Sequence, residues 1–144
     1  MEFTEENIQE IMDTFTCYAE CYEKRDFQGM KNLLSPYAMG FGSGVDEIST
    51  CRDEFLKGVR RDLSQADRVK VSFCDLIING DGRVVWVMGL CNFDAMIKGC
   101  ELSMTGRFTS VLLNTGSRWI FEQMHFSMPF EEQEPGQSFP DIEV

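Results

Sequence analysis

Apolar residues in the first half of the chain recur with the period of an α-helix. Spacings of three and four between them predict a helix over about residues 4–24. Asp26 is placed to cap a short second helix that runs through residue 34 and stops at a Ser-Pro pair. The glycine-rich segment 37–44 favours a short strand that enters a tight bend. A third helix is predicted over about 50–66. Its apolar side carries Phe55, Val59 and Leu63, and the bases Arg52, Lys57, Arg60 and Arg61 surround the rest.

The second half of the chain changes to the alternating pattern of β-strands. Four runs rich in Val, Ile, Phe, Thr and Trp are separated by sequences typical of hairpin turns. Helices followed by an antiparallel meander predict the α+β class and argue against a parallel nucleotide-binding sheet. The glycine motifs of dinucleotide and phosphate loops are also absent. The four predicted strands are 68–79, 84–97, 101–113 and 118–128.

Size and charge narrow the classes of function. A length of 144 residues is typical of one domain. A net charge of −11 has the wrong sign for neutralising nucleic-acid phosphates or an anionic membrane surface, so neither partner is expected. The acidic N-terminal residues 1–6 lack the pattern of a signal peptide, and no apolar run reaches the roughly 18 residues that a bilayer requires. We therefore expect a cytoplasmic protein.

The cysteines and the single histidine do not predict a metal or cofactor site. In a reducing compartment the six cysteines are expected to be free thiols. Cys17 and Cys21 share a helix face, but a tetrahedral zinc site would need further ligands, and His125 is the only histidine. No metal and no cofactor are expected, and ordinary buried side chains are the simpler interpretation of the thiols.

The last fifteen residues form an acidic extension. Residues 130–144 contain five acids, two prolines and no base, which favours a solvated tail. An alternative is a strap that docks through Phe130 and Phe139, within the chain or across a dimer. The sequence therefore predicts one domain over 1–129 and an extension over 130–144.

The order of these elements and five short motifs resemble the nuclear transport factor 2-like superfamily and, within it, the SnoaL-like proteins. The resemblance covers about residues 4–129. It implies a cone: N-terminal helices packed on a strongly curved antiparallel sheet, with a pocket at the open end and dimerisation through the sheet. Family members include steroid isomerases, polyketide cyclases, dehydratases, transport adaptors and kinase oligomerisation domains, so the resemblance implies a pocket but no particular activity. The motifs are Tyr22–Asp26, Gly40–Glu47, Val84–Trp86, Arg107–Thr109 and Trp119–Pro129.

Turn geometry predicts which strand residues face that pocket. A three-residue turn at Asn114 would pair Leu113 with Ser117, and a two-residue turn at Lys98-Gly99 would pair Ile97 with Cys100. If the first turn instead has only Thr115 and Gly116 at its centre, Met124 rather than His125 shares a face with Arg107. One face then mixes aromatic and polar groups, which is typical of a ligand pocket. The opposite, more uniformly apolar face is predicted to form a homodimer. The mixed face carries Arg107, Thr109, Trp119, Gln123, His125 and Ser127 with Trp86, Met88, Leu90, Asn92 and Asp94, and the apolar face carries Phe108, Leu112, Ile120, Met124 and Phe126.

Each candidate site residue also has a structural interpretation. The tryptophans are common core residues, and His125 can be a hydrogen-bonded core residue. Arg107 either pairs with Asp26, Asp46 or Glu47 or binds an acidic or aromatic ligand. The ligand-binding set predicted from the sequence is Tyr18, Tyr22, Trp86, Asn92, Arg107, His125 and Ser127, with His125 as the catalytic candidate.

Three functions remain open at this point. A dimeric protein with a small-molecule pocket in the cone is favoured, because no acid can be placed confidently beside His125 and Arg107. An isomerase, cyclase or dehydratase that uses His125 without a cofactor is the first alternative. A pure association domain is the second.

Overall fold

The computed structural model describes residues 3–143. Met1 and Glu2 of the acidic N-terminal segment and Val144 of the predicted extension lie outside the described residues. Two helices come first in the chain, and a third lies between the second and third strands of a six-stranded sheet. The elements are α1 (Glu5–Lys24), α2 (Phe27–Leu33), β1 (Leu34–Phe41), β2 (Ile48–Ser49), α3 (Arg52–Ser64), β3 (Arg68–Gly80), β4 (Val84–Ile97), β5 (Cys100–Asn114) and β6 (Trp119–Ser127).

Helices α1 and α2 each begin at a side chain that caps the helix. Thr4 and Asn7 form a reciprocal capping box at the start of α1, in which the Asn7 amide donates to the Thr4 hydroxyl at 3.1 Å. Asp26 caps α2 by accepting from the Gly29 amide at 2.9 Å, as predicted. Arg25 ends α1 in the left-handed conformation, and its guanidinium donates to the Leu63 carbonyl at 2.7 Å. This contact joins the end of α1 to the end of α3.

The strands form one sheet in the order β2-β1-β6-β5-β4-β3. The predicted α+β class, with helices packed on a curved sheet, is confirmed. The sequence did not predict that β1 would join the sheet parallel to β6, nor that β2 would form. Gly40 permits this pairing, because a Cβ atom there would collide with the Met124 carbonyl oxygen of β6.

The core lies between α1 and the concave face of the sheet. Phe15 of α1 is at its centre, with its ring centroid 5.1 Å from Phe73, 5.3 Å from Phe108 and 5.1 Å from Phe121. Leu112 and Met124 are buried on the same face. The apolar side of the amphipathic helix therefore covers the more uniformly apolar face of the sheet.

This packing corrects the predicted roles of the two sheet faces. The face predicted to form the dimer, with Phe108, Leu112, Met124 and Phe126, is the concave core face. The face predicted to line the pocket points away from the helices, and Trp86 on it is 56% exposed. The prediction was wrong because the chain supplies its own cover, helix α1, for the face that is too apolar to stand in water.

The β5–β6 turn also differs from its prediction. Asn114 lies opposite Trp119, and the loop between them closes through a 2.8 Å hydrogen bond from the Thr115 amide to the Arg118 carbonyl. A bulge after Val111 then shifts the register of β6 by one residue. Trp119 consequently turns into the core, as its structural interpretation predicted, and not onto the face of Arg107 to which turn geometry assigned it. The β4–β5 turn is as predicted, with Ile97 opposite Cys100.

The two register changes leave part of the prediction intact. Between the turn and the bulge, Asn114 of β5 lies opposite Trp119 of β6, so even residues of β5 lie opposite odd residues of β6. On the far side of the bulge from the turn, Thr109 lies opposite His125 and Arg107 lies opposite Ser127. Odd residues of both strands therefore share a face there, as predicted. Arg107 and His125 are therefore neighbours on one face of the sheet, although that face is the outer one.

The chain after β6 has neither helix nor strand as far as residue 143. Phe130 and Phe139 are both exposed, so neither docks on its own chain. Within residues 3–143 no helix is long and apolar enough to cross a membrane.

Candidate functional site

A cavity of about 600 Å³ lies between α1, α3 and the concave face of the sheet. One end is apolar and is walled by strands β3, β4 and β5. The other end is polar and lies beside α3 and the loop that follows β1. This combination of an apolar body and a few polar groups is typical of a site for a small organic molecule. The apolar end is lined by Val69, Val71, Cys91, Phe93, Ala95, Ile97, Leu102, Met104 and Phe126.

Two tyrosines of α1 line the cavity one helical turn apart. The rings of Tyr18 and Tyr22 stack with their centroids 6.2 Å apart and their planes at 27°. Tyr18 is only 2% exposed, and burial together with the nearby Tyr22 and Asp62 raises the pKa of its hydroxyl. Burial and the charges of Asp62 and Glu47 raise the pKa of Tyr22 in the same way. Both hydroxyls therefore remain protonated hydrogen-bond donors.

Arg61 of α3 gathers three carboxylates at the polar end. Its guanidinium nitrogens lie 2.9 Å from Asp46, 3.3 Å from Glu47 and 3.9 Å from Asp62. The hydrogen bond and charge of Arg61 lower the pKa of Asp46. Glu47 also accepts a 2.6 Å hydrogen bond from the Gly44 amide, which fixes the loop that carries it. The loop after β1 and the last turn of α3 are thus held together beside the tyrosines.

Asp62 differs from the other carboxyl groups of this cluster. Burial, followed by the neighbouring Glu47 carboxyl, raises the pKa of Asp62 from 3.8 to about 7. The charge of Arg61 opposes this shift but does not cancel it. Near neutral pH the Asp62 side chain is therefore present in both protonation states, which is the condition for a group that donates or accepts a proton.

Only some of the ligand-binding residues predicted from the sequence line the cavity. Tyr18 and Tyr22 line the cavity, and Ser127, at the end of β6 opposite Arg107, borders both the cavity and a depression on the outer face. Trp86, Asn92, Arg107 and His125 do not, because they lie on the outer face of the sheet. This placement corrects the prediction that they face the pocket.

Of the predicted site residues on the outer face, Arg107 and His125 lie close together. Arg107 and His125 border a depression of about 360 Å³ with Met88, Leu90 and Thr109. His125 packs against Phe41, with ring centroids 5.4 Å apart. Asn92 accepts a hydrogen bond from Thr105 at 2.8 Å. Arg107 is exposed rather than buried, so it needs no buried acidic partner.

Glu47, Arg61 and Asp62 line the cavity but were not among the site residues predicted from the sequence. Asp46 and Glu47 were considered only as partners for Arg107, whereas their partner is Arg61. The signal for Asp62 was present: it follows Val59 by three residues and so continues the apolar side of α3. An acid in a core-facing helical position requires an explanation, and here it is the polar end of the cavity.

Metal ligands are not grouped in the part of the chain that the structure describes. Residues 3–143 contain no cluster of three or more His, Cys, Asp or Glu side chains that could hold a metal ion. All six cysteines are free thiols, as predicted, and Cys21 and Cys91 are buried.

Comparison with known proteins decides the family. The model of the SnoaL-like domain matches residues 11–131. The chain belongs to the SnoaL-like domain family. The predicted membership is confirmed, and the match spans most of α1, the whole sheet and the cavity between them.

Solved structures share the fold of this SnoaL-like chain at low sequence identity. A protein from Streptomyces avermitilis, named as a dehydratase of the nuclear transport factor 2-like family, is 14% identical with a TM-score of 0.80, covering 88% of this chain and 99% of its own. A nuclear transport factor 2-like superfamily protein from Salmonella enterica is 17% identical with a TM-score of 0.77, covering 91% and 96%.

A third structure is a cystatin-like protein of unknown function from Nostoc punctiforme. It is 14% identical with a TM-score of 0.74, covering 96% of this chain and 98% of its own. At these identities the likeness shows the fold alone. No curated protein matches the sequence.

Proposed function

We propose that this SnoaL-like chain binds a small, largely apolar organic molecule in the cavity between α1, α3 and the concave sheet face. The observation that carries the proposal is the cavity itself, about 600 Å³ in volume, with apolar walls and polar groups confined to one end. A pure association domain would need no such cavity. The site residues are Tyr18, Tyr22, Glu47, Asp62 and Ser127, with the apolar strand residues as the wall.

A neutral, environment-sensitive dye tests whether the cavity binds ligands. Phenylnaphthylamine fluoresces in apolar surroundings and is expected to bind saturably with one molecule per chain. Ala95→Phe places a ring inside the cavity, because Ala95 lines it and is almost fully buried. We expect this variant to weaken dye binding about tenfold or more, since the added ring occupies the binding volume.

Thr16→Phe is the matched control, because Thr16 is exposed on α1 away from the cavity. Its dye affinity is expected to equal that of the parent. Circular dichroism establishes that both variants fold. Equal dye binding by the parent and a folded Ala95→Phe variant would contradict the proposal.

A second candidate function is proton transfer on the bound molecule without a cofactor. The observation that favours it is the Asp62 carboxyl, whose pKa of about 7 and cavity position suit a general acid or base. His125, the catalytic residue predicted from the sequence, lies on the outer face and cannot serve a ligand in the cavity. Base-promoted ring opening of nitrobenzisoxazole, a neutral aromatic probe that needs only a base, measures this capacity directly.

We also propose that the chain forms a homodimer through the outer face of the sheet. That face exposes a group of large apolar side chains that monomeric proteins rarely leave in water: Met39, Phe41, Ile77, Trp86 and Met88. A second copy is the occupant we propose, because the same patch on both chains can bury itself by two-fold symmetry.

Trp86→Glu tests the dimer. The parent is expected to sediment as a dimer at micromolar concentration, and the variant as a monomer. A charge placed among apolar side chains should raise the dissociation constant about 100-fold or more, because the carboxylate must be desolvated. Gln28→Glu, which adds the same charge on the exposed side of α2, should leave the dimer intact. A parent that sediments as a monomer at micromolar concentration would refute this proposal.

A further inference from the structure

The polar end of the cavity carries an excess of negative charge. Four acidic side chains line it, against two basic ones, Lys57 and Arg61. The whole chain adds a net charge of −11 to this local imbalance. A potential of this sign attracts cations to the cavity and repels anions from it. The four acids are Asp46, Glu47, Glu54 and Asp62.

Arg61 is already committed to the protein's own carboxylates. Asp46 and Glu47 accept hydrogen bonds from its two terminal nitrogens, at 2.9 Å and 3.3 Å. Its third nitrogen lies 3.9 Å from Asp62. An anionic ligand would therefore have to displace one of these carboxylates before it could use the guanidinium, whereas a cationic ligand can use the remaining carboxylate oxygens directly.

The two tyrosine hydroxyls point independently to a ligand. Tyr18 and Tyr22 are more than nine-tenths buried and line the cavity, yet neither hydroxyl is hydrogen-bonded to any of residues 3–143. Neither oxygen is among the fully buried side-chain atoms without a partner in residues 3–143, so both hydroxyls open onto the cavity and can meet a ligand there. Each hydroxyl can accept a hydrogen bond as well as donate one, so an N–H group of a ligand would satisfy them.

Aromatic rings continue from the tyrosines into the apolar end of the cavity. Tyr22 lies edge to face with Phe93 at a centroid distance of 6.4 Å, and Phe93 lies in the same way against Phe126 at 6.1 Å. Aromatic faces attract cations through the negative charge above the ring. Carboxylates and hydroxyls beside an aromatic wall are the groups that recognise an ammonium with an apolar body.

We infer that the ligand of this cavity is an organic amine, with its protonated nitrogen beside Glu47, Asp62 and the tyrosine hydroxyls and its apolar body against the strands. The inference rests on the proposed binding function and adds the chemical class of the ligand. The acidic ligand that the sequence suggested depended on Arg107, which lies on the other face of the sheet.

Three probes that differ only in their polar group test the inference. Naphthylethylamine, naphthylethanol and naphthylacetate share one aromatic body, and each is titrated against the protein loaded with phenylnaphthylamine. The pH is about 8, where the amine is protonated and Asp62, with its pKa of about 7, is mostly ionised. We expect the amine to displace the dye about tenfold more tightly than the alcohol, because hydrogen bonds between charged partners are the stronger ones. The acetate is expected to bind more weakly than the alcohol.

Paired variants identify the groups that select the amine. Glu47→Gln combined with Asp62→Asn keeps the shape and removes both charges, and should reduce the preference for the amine over the alcohol to less than about threefold. Asp53→Asn, on the same helix but outside the cavity, should leave the preference unchanged. The dye, which carries no charge, measures whether the cavity of each variant still binds.

The outcomes separate the two proposals. If the dye binds but the acetate competes as well as the amine, the amine inference is overturned and the binding function stands. An amine preference that survives in the dye-binding double variant also overturns it. If neither the dye nor any probe binds the parent, both proposals are overturned together.

Discussion

Replacing Phe15 with alanine is expected to destabilise the protein by about 3–5 kcal/mol, the usual cost of removing a fully buried aromatic ring. Phe15 is 2% exposed and contacts the rings of Phe73, Phe108 and Phe121. These contacts join α1 to three strands, so the resulting void cannot close without moving the helix off the sheet. Urea unfolding followed by circular dichroism measures the free energy of unfolding.

Met12→Ala is the matched control for this prediction. Met12 lies on the same helix but is 44% exposed, so its loss should cost less than about 1 kcal/mol. A thermal scan should show the same order, with Phe15→Ala melting about 10 °C or more below the parent. If the two variants were equally stable, α1 would not hold the concave face in the way described.

The elements of the fold could be predicted because their signals are local. The capping box at Thr4, the cap at Asp26 and the turn at Lys98-Gly99 each depend on residues a few positions apart. The parallel pairing of β1 with β6 depends on residues more than eighty positions apart. Gly40 is the only local trace of that pairing, and its reason becomes visible only when Met124 lies against it.

The two faces of the sheet could not be assigned in the same way. Both faces carry aromatic and aliphatic side chains, and alternation shows only which residues share a face. The outer face looked like a pocket because it mixes Trp86, Arg107 and His125, but the same mixture is typical of a surface that meets another protein. A pocket and a protein-binding surface can be told apart only when the position of α1 on the sheet is known. The alternating pattern of the strands does not predict that position.

Arg107 and His125 share a face as predicted, although the turn from which this was predicted has a different length. The turn at Asn114 has a different length from the one predicted, and this alone would have separated Arg107 from His125. The extra residue in β6 restores their common face. Bulges of this kind have no clear sequence signal here, so the placement of Trp119 could not be predicted.

Asp62→Asn is expected to abolish base catalysis in the cavity. Deprotonated Asp62 would remove the ring proton of nitrobenzisoxazole, and the released electron pair breaks the N–O bond to give a coloured phenolate. The parent rate should rise with pH through about 7 and then level off, because only the ionised carboxylate accepts a proton. The variant should lose about 100-fold or more of this rate at every pH on the plateau.

Asp53→Asn separates a specific effect of Asp62 from a general effect of charge. It makes the same chemical change on the same helix, at an exposed residue outside the cavity, and should leave the rate and its pH dependence unchanged. A parent rate that is flat between about pH 5 and pH 9 would contradict the role of Asp62, since no group of the expected pKa would then control the reaction.

Asp62→Asn should also change how stability depends on pH. The pKa of Asp62 is higher in the folded chain, about 7, than its ordinary 3.8, so between these values the folded state binds a proton that the unfolded state does not. The parent therefore loses stability as pH rises from about 4 to about 7. Because the Asp62 side chain is 40% exposed, solvent screening should limit this loss to about 1–2 kcal/mol.

Asp62→Asn should be more stable than the parent at about pH 8 and no more stable at about pH 4, as measured by urea unfolding. A difference between variant and parent that does not change with pH would show that Asp62 is ionised throughout, and would remove the basis for its role as an acid or base.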